Sequence, residues 1–232
     1  MQNTTFDVKV PGKLMIAGEY AVTESNQASI VVAVDRYITA KITVSDQNKL
    51  ILPQLGLNDV TWDITSGMVN FPEYDKRLRF IKNAFQVVYN YLNEQNINII
   101  PFHLAVTSEL DDPSGRKYGL GSSAAIVVAV VTAMLKLHES EKQTSNPEKI
   151  FKLAAIAHFK TQGNGSCADI AASTFGGWLH YTAFQSKWLI EKIDKESSIT
   201  NLLTAAWPML SISSITPPNN LTFCVGWTVE AA

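Results

Sequence analysis

Residues 113–125 read PSGRKYGLGSSAA and run straight into the apolar segment IVVAVVTAML at 126–135. Gly119 and Gly121 let the backbone bend tightly and leave no side chain in the way of a bound group. Ser122 and Ser123 follow, where a helix would begin. The first N–H groups of a helix have no intrahelical partner, and the helix dipole is positive at that end. A glycine-rich turn feeding a helix N-terminus is therefore a phosphate cradle in outline. Arg116 and Lys117 add positive charge just ahead of it. The same letters also suit an ordinary capped helix, because serine is a good N-cap. Neither a Walker A spacing nor a dinucleotide fingerprint is present, since no Gly-Lys-Ser/Thr follows the glycines.

The surrounding chain narrows the choice. It has 232 residues, room for one large domain or two modest ones. Hydrophobic residues make up 46% and charged residues 17%, enough for a sizeable core. A net charge of -2 implies no broad basic surface, which argues against nucleic acid as partner. Two cysteines, Cys167 and Cys224, suggest no disulfide framework and fit a reducing cytoplasm. Asp7 and Lys9 interrupt the first apolar run, so no secretory signal is expected. The apolar run at 124–135 is too short to span a bilayer and reads as a buried core helix.

Along the chain, strands come first. Phe6, Val8 and Val10 alternate with Asp7 and Lys9, and Pro11-Gly12 punctuates the run. Residues 14–17 and 29–34 are short apolar strands, with Asp35-Arg36 breaking the second. Ile38, Ala40, Ile42 and Val44 alternate with polar neighbours, as in a sheet with one wet face. Residues 49–52 add another strand. Over 75–95 the period changes: Leu78, Ile81, Phe85, Val88 and Leu92 mark an amphipathic helix. Arg77, Arg79 and Lys82 on it read as a solvated charged face, with a substrate-phosphate site as the alternative. A strand is expected at 102–107, and after the opening motif a helix running to about His138. A second helix over 147–160 carries His158, which reads as a satisfied core or boundary histidine. The small-residue turn GNGSCAD at 163–169 leads into a short helix, and 178–184 reads as a strand. Composition shifts near 185–200, where a domain junction is expected, and 221–226 reads as a strand opening a further unit.

Three small-residue turns carry the polar groups: Pro11-Gly12-Lys13 with Gly18-Glu19-Tyr20, the GLGSSAA turn, and the turn ending at Asp169. Singly, Lys13 could be a surface lysine, Asp169 a helix N-cap, and Cys167 a small buried filler. Together they supply the parts for phosphoryl transfer, in which catalysis is mostly placement and electrostatics.

PGKLMIAGEYAV at 11–22 resembles the first motif of the GHMP small-molecule kinases, and GLGSSAA at 119–125 resembles their second, phosphate-binding motif. Gly18-Glu19-Tyr20, the run Tyr20-Ala21-Val22 and the turn GNGSCAD look like the phosphomevalonate kinases of Gram-positive bacteria within that superfamily. Mevalonate kinases usually show Gly-Glu-His at the first place and a Pro-Ser-Gly-x-Asp turn at the last. The resemblance implies an α+β fold: an N-terminal ATP-binding domain with a left-handed β-α-β unit over 1–190, and the incomplete beginning of a ferredoxin-like C-terminal domain over 191–232. It implies transfer from ATP to phosphomevalonate with Mg²⁺. Gly119, Leu120, Gly121, Ser122 and Ser123 would hold ATP phosphates, flanked by Lys117 and Ala124. Ser123 would contact Mg²⁺. Lys13 and Asp169 would be the catalytic pair, and Glu19, Tyr20 and Ser166 would face the acceptor. Two departures stand out. The glutamate Mg²⁺ ligand of mevalonate kinases, eleven residues before the aspartate, is His158 here. A third glycine-rich motif found near the C-terminus of that family is missing, and GWTVEAA looks like a strand cut short.

Overall fold

The computed structural model describes residues 4–24, 26–71, 75–112, 116–195, 198–220 and 222–227. Residues 113–115 of the opening stretch, Leu221 of the expected last strand and the terminal 228–232 lie outside these.

Alternating patterns early in the chain produce a long antiparallel pair, β1 (Thr5–Ala17) and β2 (Ala28–Val44). Ile38, Ala40 and Ile42 point into the core as their period of two requires. The expected breaks at Pro11-Gly12 and Asp35-Arg36 do not occur. β1 is an edge strand, where a proline forfeits no ladder bond, and the chain absorbs the pair as a register shift between Pro11 and Lys13. In β2 the exposed Asp35-Arg36 pair falls where the strand changes partners. Residues 28–32 pair with β8 (Trp178–Thr182), and residues 38–44 pair with β7 (Phe102–Ser108).

β3 (Lys49–Leu52) lies parallel to β7 and antiparallel to β4 (Leu57–Thr61) at the sheet edge. The connection from β3 to β7 also carries a small hairpin, β5 (Asp63–Thr65) and β6 (Met68–Asn70), and the helix α1 (Arg79–Glu94). Its turn is Ser66-Gly67, both with positive φ (53° and 79°), a two-residue turn signal that the apolar pattern around it does not reinforce. At the far edge β9 (Ser211–Ile215) pairs antiparallel with β8. The sheet order is β4-β3-β7-β2-β8-β9, with β1 along the other side of β2.

Helices α2 (Ser122–His138), α4 (Pro147–Gln162) and α5 (Ala168–Phe175) cover the sheet together with α1. α2 is the central one. It packs on β1 and β2 while α1, α4 and α5 surround it, and ten residues between Ala124 and Leu135 are buried. Burying each valine or leucine contributes about 1.5–3 kcal/mol, so an all-round apolar helix belongs at this position. The predicted stripe of α1 (Ile81, Phe85, Val88, Leu92) is fully buried. α1 starts at Arg79, after a 3-10 turn whose N-cap Asp75 accepts the Arg77 N–H at 2.8 Å.

After the short α3 (Glu141–Thr144), the stretch expected to be a junction holds α6 (Ser186–Lys195) and the start of α7 (Ile199–Thr204). α7 is fastened at both ends. The Glu94 carboxylate accepts the N–H groups of Ile199 and Thr200, each at 2.7 Å, and the Ser198 hydroxyl at 3.1 Å. At its other end Lys152 donates to the carbonyls of Leu203 (2.9 Å) and Ala205 (3.0 Å). Residues 222–227 form no strand. The alternation is there, but a strand needs a partner and no described residue pairs with this segment; the Phe223 ring rests against Trp178 instead, at 5.7 Å between centroids. Among the described residues no helix is long and apolar enough to cross a membrane.

Candidate active site

β1 carries Lys13 directly beneath the glycine-rich turn. The Lys13 N–H donates to the Leu120 carbonyl at 2.8 Å. Contact is close enough that a Cβ on Gly12 would meet the Leu120 carbonyl oxygen at 2.8 Å and Leu110 Cδ2 at 2.7 Å. Gly121 sits in the left-handed region (φ 76°, ψ 39°) as the N-cap of α2 and bonds no side chain in that role. The serine-capped helix open as an alternative is therefore not what forms. Ser122 is the first helical residue, and the N–H groups of Ala124 and Ala125 turn back onto the Gly121 carbonyl at 3.1 and 3.0 Å. The amides of Ser122 and Ser123 precede the first intrahelical bond, at the positive end of the helix.

Both serines line a cavity of about 520 Å³ between α1, β7 and the start of α2. Lys117 lines it too, as do Lys76, Arg77 and Arg79 from the entry to α1. Arg77 and Arg79 are exposed, as a solvated face requires, and they also line this cavity, whereas Lys82 does not. Arg77 is held by the Asp75 carboxylate (2.7 Å) and the Leu55 carbonyl (2.9 Å), and that pairing raises its pKa while lowering that of Asp75. Lys76 carries no signal in the sequence that sets it apart from other surface lysines; its place on this wall comes from the fold. Asp111, on the same wall, accepts the Ser108 hydroxyl through Oδ2 at 3.0 Å, while its buried Oδ1 has no partner among the described residues.

On the other side of Lys13 lies a smaller pocket of about 220 Å³. It brings together Lys13 and Glu19 from the first motif, His158 from α4, and Ser166 and Asp169 from the third turn. Cys167, with φ 57°, is the N-cap of α5, so Asp169 stands inside the first turn and is not the cap; its Oδ1 accepts the Ile170 N–H at 2.9 Å. No ion pair within 4 Å joins Lys13 to Asp169 among the described residues. Cys167 is buried as expected, and burial, with the Asp169 charge adding, pushes its thiol well up. His158 is buried, but it is not satisfied, in contrast to the expectation: neither ring nitrogen has a hydrogen-bond partner. Burial lowers its pKa, against the opposing pull of the Asp169 carboxylate.

This pocket adjoins a larger one of about 680 Å³, lined by Asn164, Phe184, Lys187 and Met209 among others. Ser166, Gly165, Val22 and Thr23 line both. The Tyr181 hydroxyl donates to the Ser166 carbonyl and ties the third turn to β8. Tyr20, by contrast, is 85% exposed and lines neither pocket. Ala124 is buried in the helix and Leu120 contributes its carbonyl, so among the loop residues the serines and Lys117 face the large basic cavity.

The N-terminus of α2, a lysine beneath it and a carboxylate lining that lysine's pocket bring together the parts that phosphoryl transfer uses. Residues 79–177 match the family model of the GHMP kinases N terminal domain, and the chain carries that domain. It is 34% identical over 233 residues to the phosphomevalonate kinase of Streptomyces sp. (strain CL190), across 96% of this chain and 61% of that one. A solved structure from Listeria innocua superposes with a TM-score of 0.85 at 38% identity, covering 93% of this chain and 59% of the other. Streptococcus pneumoniae phosphomevalonate kinase, in complex with phosphomevalonate and AMPPNP, gives a TM-score of 0.77 at 27% identity, covering 91% and 59%. The chain thus spans about three-fifths of the length of these relatives.

Proposed function

We propose that this site moves the γ-phosphoryl group of ATP onto the phosphate of 5-phosphomevalonate, giving ADP and 5-diphosphomevalonate. The observation that carries the reading is the position of Lys13, whose stem runs under the phosphate turn while the residue also lines the pocket of Asp169. The likeness to phosphomevalonate kinases, one of them holding both substrate and nucleotide analogue, supports the choice of acceptor.

ATP would lie in the basic cavity with its phosphates on the amides of Ser122 and Ser123, near Lys117. The acceptor would enter by the larger pocket beside Ser166 and Glu19 and place its phosphate between Lys13 and Asp169. An oxygen of that phosphate attacks the γ-phosphorus, and the bond to the β–γ bridging oxygen breaks as ADP leaves. A phosphate monoester has a second pKa of about 6 and is mostly a dianion at neutral pH. No proton need be removed, so the obstacle is repulsion between two anions. Lys13 lowers it by standing between them, and Asp169 orients the lysine and the acceptor. Mevalonate, an alcohol, would instead require Asp169 to take a proton.

Mg²⁺ fits the basic cavity. The hydroxyl of Ser123 and the unpartnered Oδ1 of Asp111 are hard oxygen donors on its wall, and Mg²⁺ commonly takes one or two protein oxygens beside phosphate oxygens and water. When bound there, it would neutralise charge on the ATP phosphates.

The test is a coupled ADP-release assay with phosphomevalonate and mevalonate as acceptors, run beside calorimetric ATP titration. Turnover with phosphomevalonate alone supports the reading, and turnover with mevalonate alone replaces it. ATP binding without turnover on either acceptor assigns this chain a nucleotide-binding role only.

A further inference from the structure

Among the described residues, His158 alone leaves two buried side-chain nitrogens without a partner. It is 3% exposed, on α4, and lines the pocket shared by Lys13 and Asp169. Its ring stacks on Phe80 of α1, with centroids 5.1 Å apart and planes at 30°. Phe80 lines the basic cavity, with the Arg79 guanidinium 5.2 Å from its ring centroid. The stacked pair therefore touches both cavities, the histidine on the Lys13 pocket and the phenylalanine on the basic one.

A buried polar group without a partner is destabilising, and an apolar side chain of similar shape would avoid the loss. A histidine in that position, with a pocket before it, is complementary to a ligand that brings an acceptor atom. Resting on the acceptor assignment above, we propose that His158 is a phosphate-binding residue of the acceptor subsite. One ring N–H donates to a non-bridging oxygen of the acceptor's phosphate, while Lys13 neutralises the same group from β1. The charged side chains facing this pocket are Lys13 from β1, Glu19 from the turn after it and Asp169 from α5. Burial holds the imidazole below its usual pKa, against the opposing pull of the Asp169 carboxylate. His158 would then report whether the acceptor carries a phosphate, a feature mevalonate lacks.

The test pairs H158F, which keeps the ring and its stack on Phe80, with H158Q, which keeps a donor. Binding of 5-phosphomevalonate and of mevalonate is measured by calorimetry on the 232-residue chain, with thermal unfolding alongside. H158F should unfold at the same or a higher temperature than the unaltered chain. It should bind phosphomevalonate roughly 10- to 100-fold more weakly, the loss of a hydrogen bond to a charged group, and mevalonate unchanged. H158Q should recover part of the loss. Equal phosphomevalonate affinity in H158F overturns this role and leaves the kinase reading intact. A fall in unfolding temperature, or failure to fold, with both ligands lost alike makes His158 structural and overturns it too. An unaltered chain that does not bind phosphomevalonate at all overturns both.

Discussion

The side chain of Lys13 lies across the α-carbon of Gly121: a methyl group added there would sit 2.9 Å from Lys13 Cγ and 3.1 Å from Cε. The missing side chain of the turn is thus the space in which the lysine runs. Gly121→Ala should both strain the backbone, since φ is 76°, and push the lysine aside. Strain of this kind costs about 1–3 kcal/mol. Gly119→Ala is the control, with φ 80° but nothing within 4 Å of the new atom. In urea unfolding the two should be destabilised comparably. In ATP-dependent turnover Gly121→Ala should lose at least ~10-fold more than Gly119→Ala, because a misplaced catalytic group is penalised steeply.

With a dianionic acceptor the two members of the Lys13 and Asp169 pair are unequal. Lys13→Met should lower kcat roughly 10²–10³-fold, the scale for removing one transition-state electrostatic contact. Asp169→Asn should lower it about 10-fold, since only orientation is lost. Comparable losses in the two variants would count against charge screening and for proton removal by the aspartate.

Stability should fall as pH drops below the ordinary histidine range. His158 and His138 are both pushed below the ordinary histidine value of 6.5, in each case chiefly by burial. The unfolded chain then binds more protons than the folded one just below pH 6.5, so stability rises with pH up to that point and is lost as pH falls through the lower folded values. Urea midpoints between pH 7.5 and 5 should show this, and H158F should flatten the slope.

Glu94 offers a second, separable pH effect. Burial works to raise its pKa, but the hydrogen bonds from Ser198, Ile199 and Thr200 outweigh this and lower it from 4.5. Its contribution is therefore present above pH 4.5 and lost as pH falls through the folded value. Glu94→Ala removes the acceptor that serves the N-terminus of α7 and should destabilise the protein by about 1–2 kcal/mol, as cap deletions do. Amide exchange in α7 should quicken while ATP affinity stays unchanged.

Much of this architecture is visible in the letters, and the failures share a cause. Period, capping and apolar runs located α1, α2, α4 and the long strands, because those elements bury one face or all faces regardless of their neighbours. Punctuation by Pro11-Gly12 and Asp35-Arg36 misled, because a tertiary partner decides whether an edge strand continues or a strand switches neighbours. The site shows the same division. Small-residue turns and family likeness point to Lys13, Ser123 and Asp169, and the fold sets all three on pocket walls. Lys76, Asp111 and the unsatisfied state of His158 carry no such signal, since each depends on which walls the fold brings together.

The divided partnership of β2 has an outcome in biosynthesis. Its C-terminal half finds β7 before α2 has been made, whereas its N-terminal half must wait for β8, which lies beyond α4 and α5. On the ribosome the wall of the basic cavity can therefore assemble while residues 28–32 still present a bare edge. Bare edges recruit foreign strands. Slowed translation between α2 and β8 should favour misassembly at that edge, and the turn around Ser166, which Tyr181 of β8 ties down, would be the part that suffers.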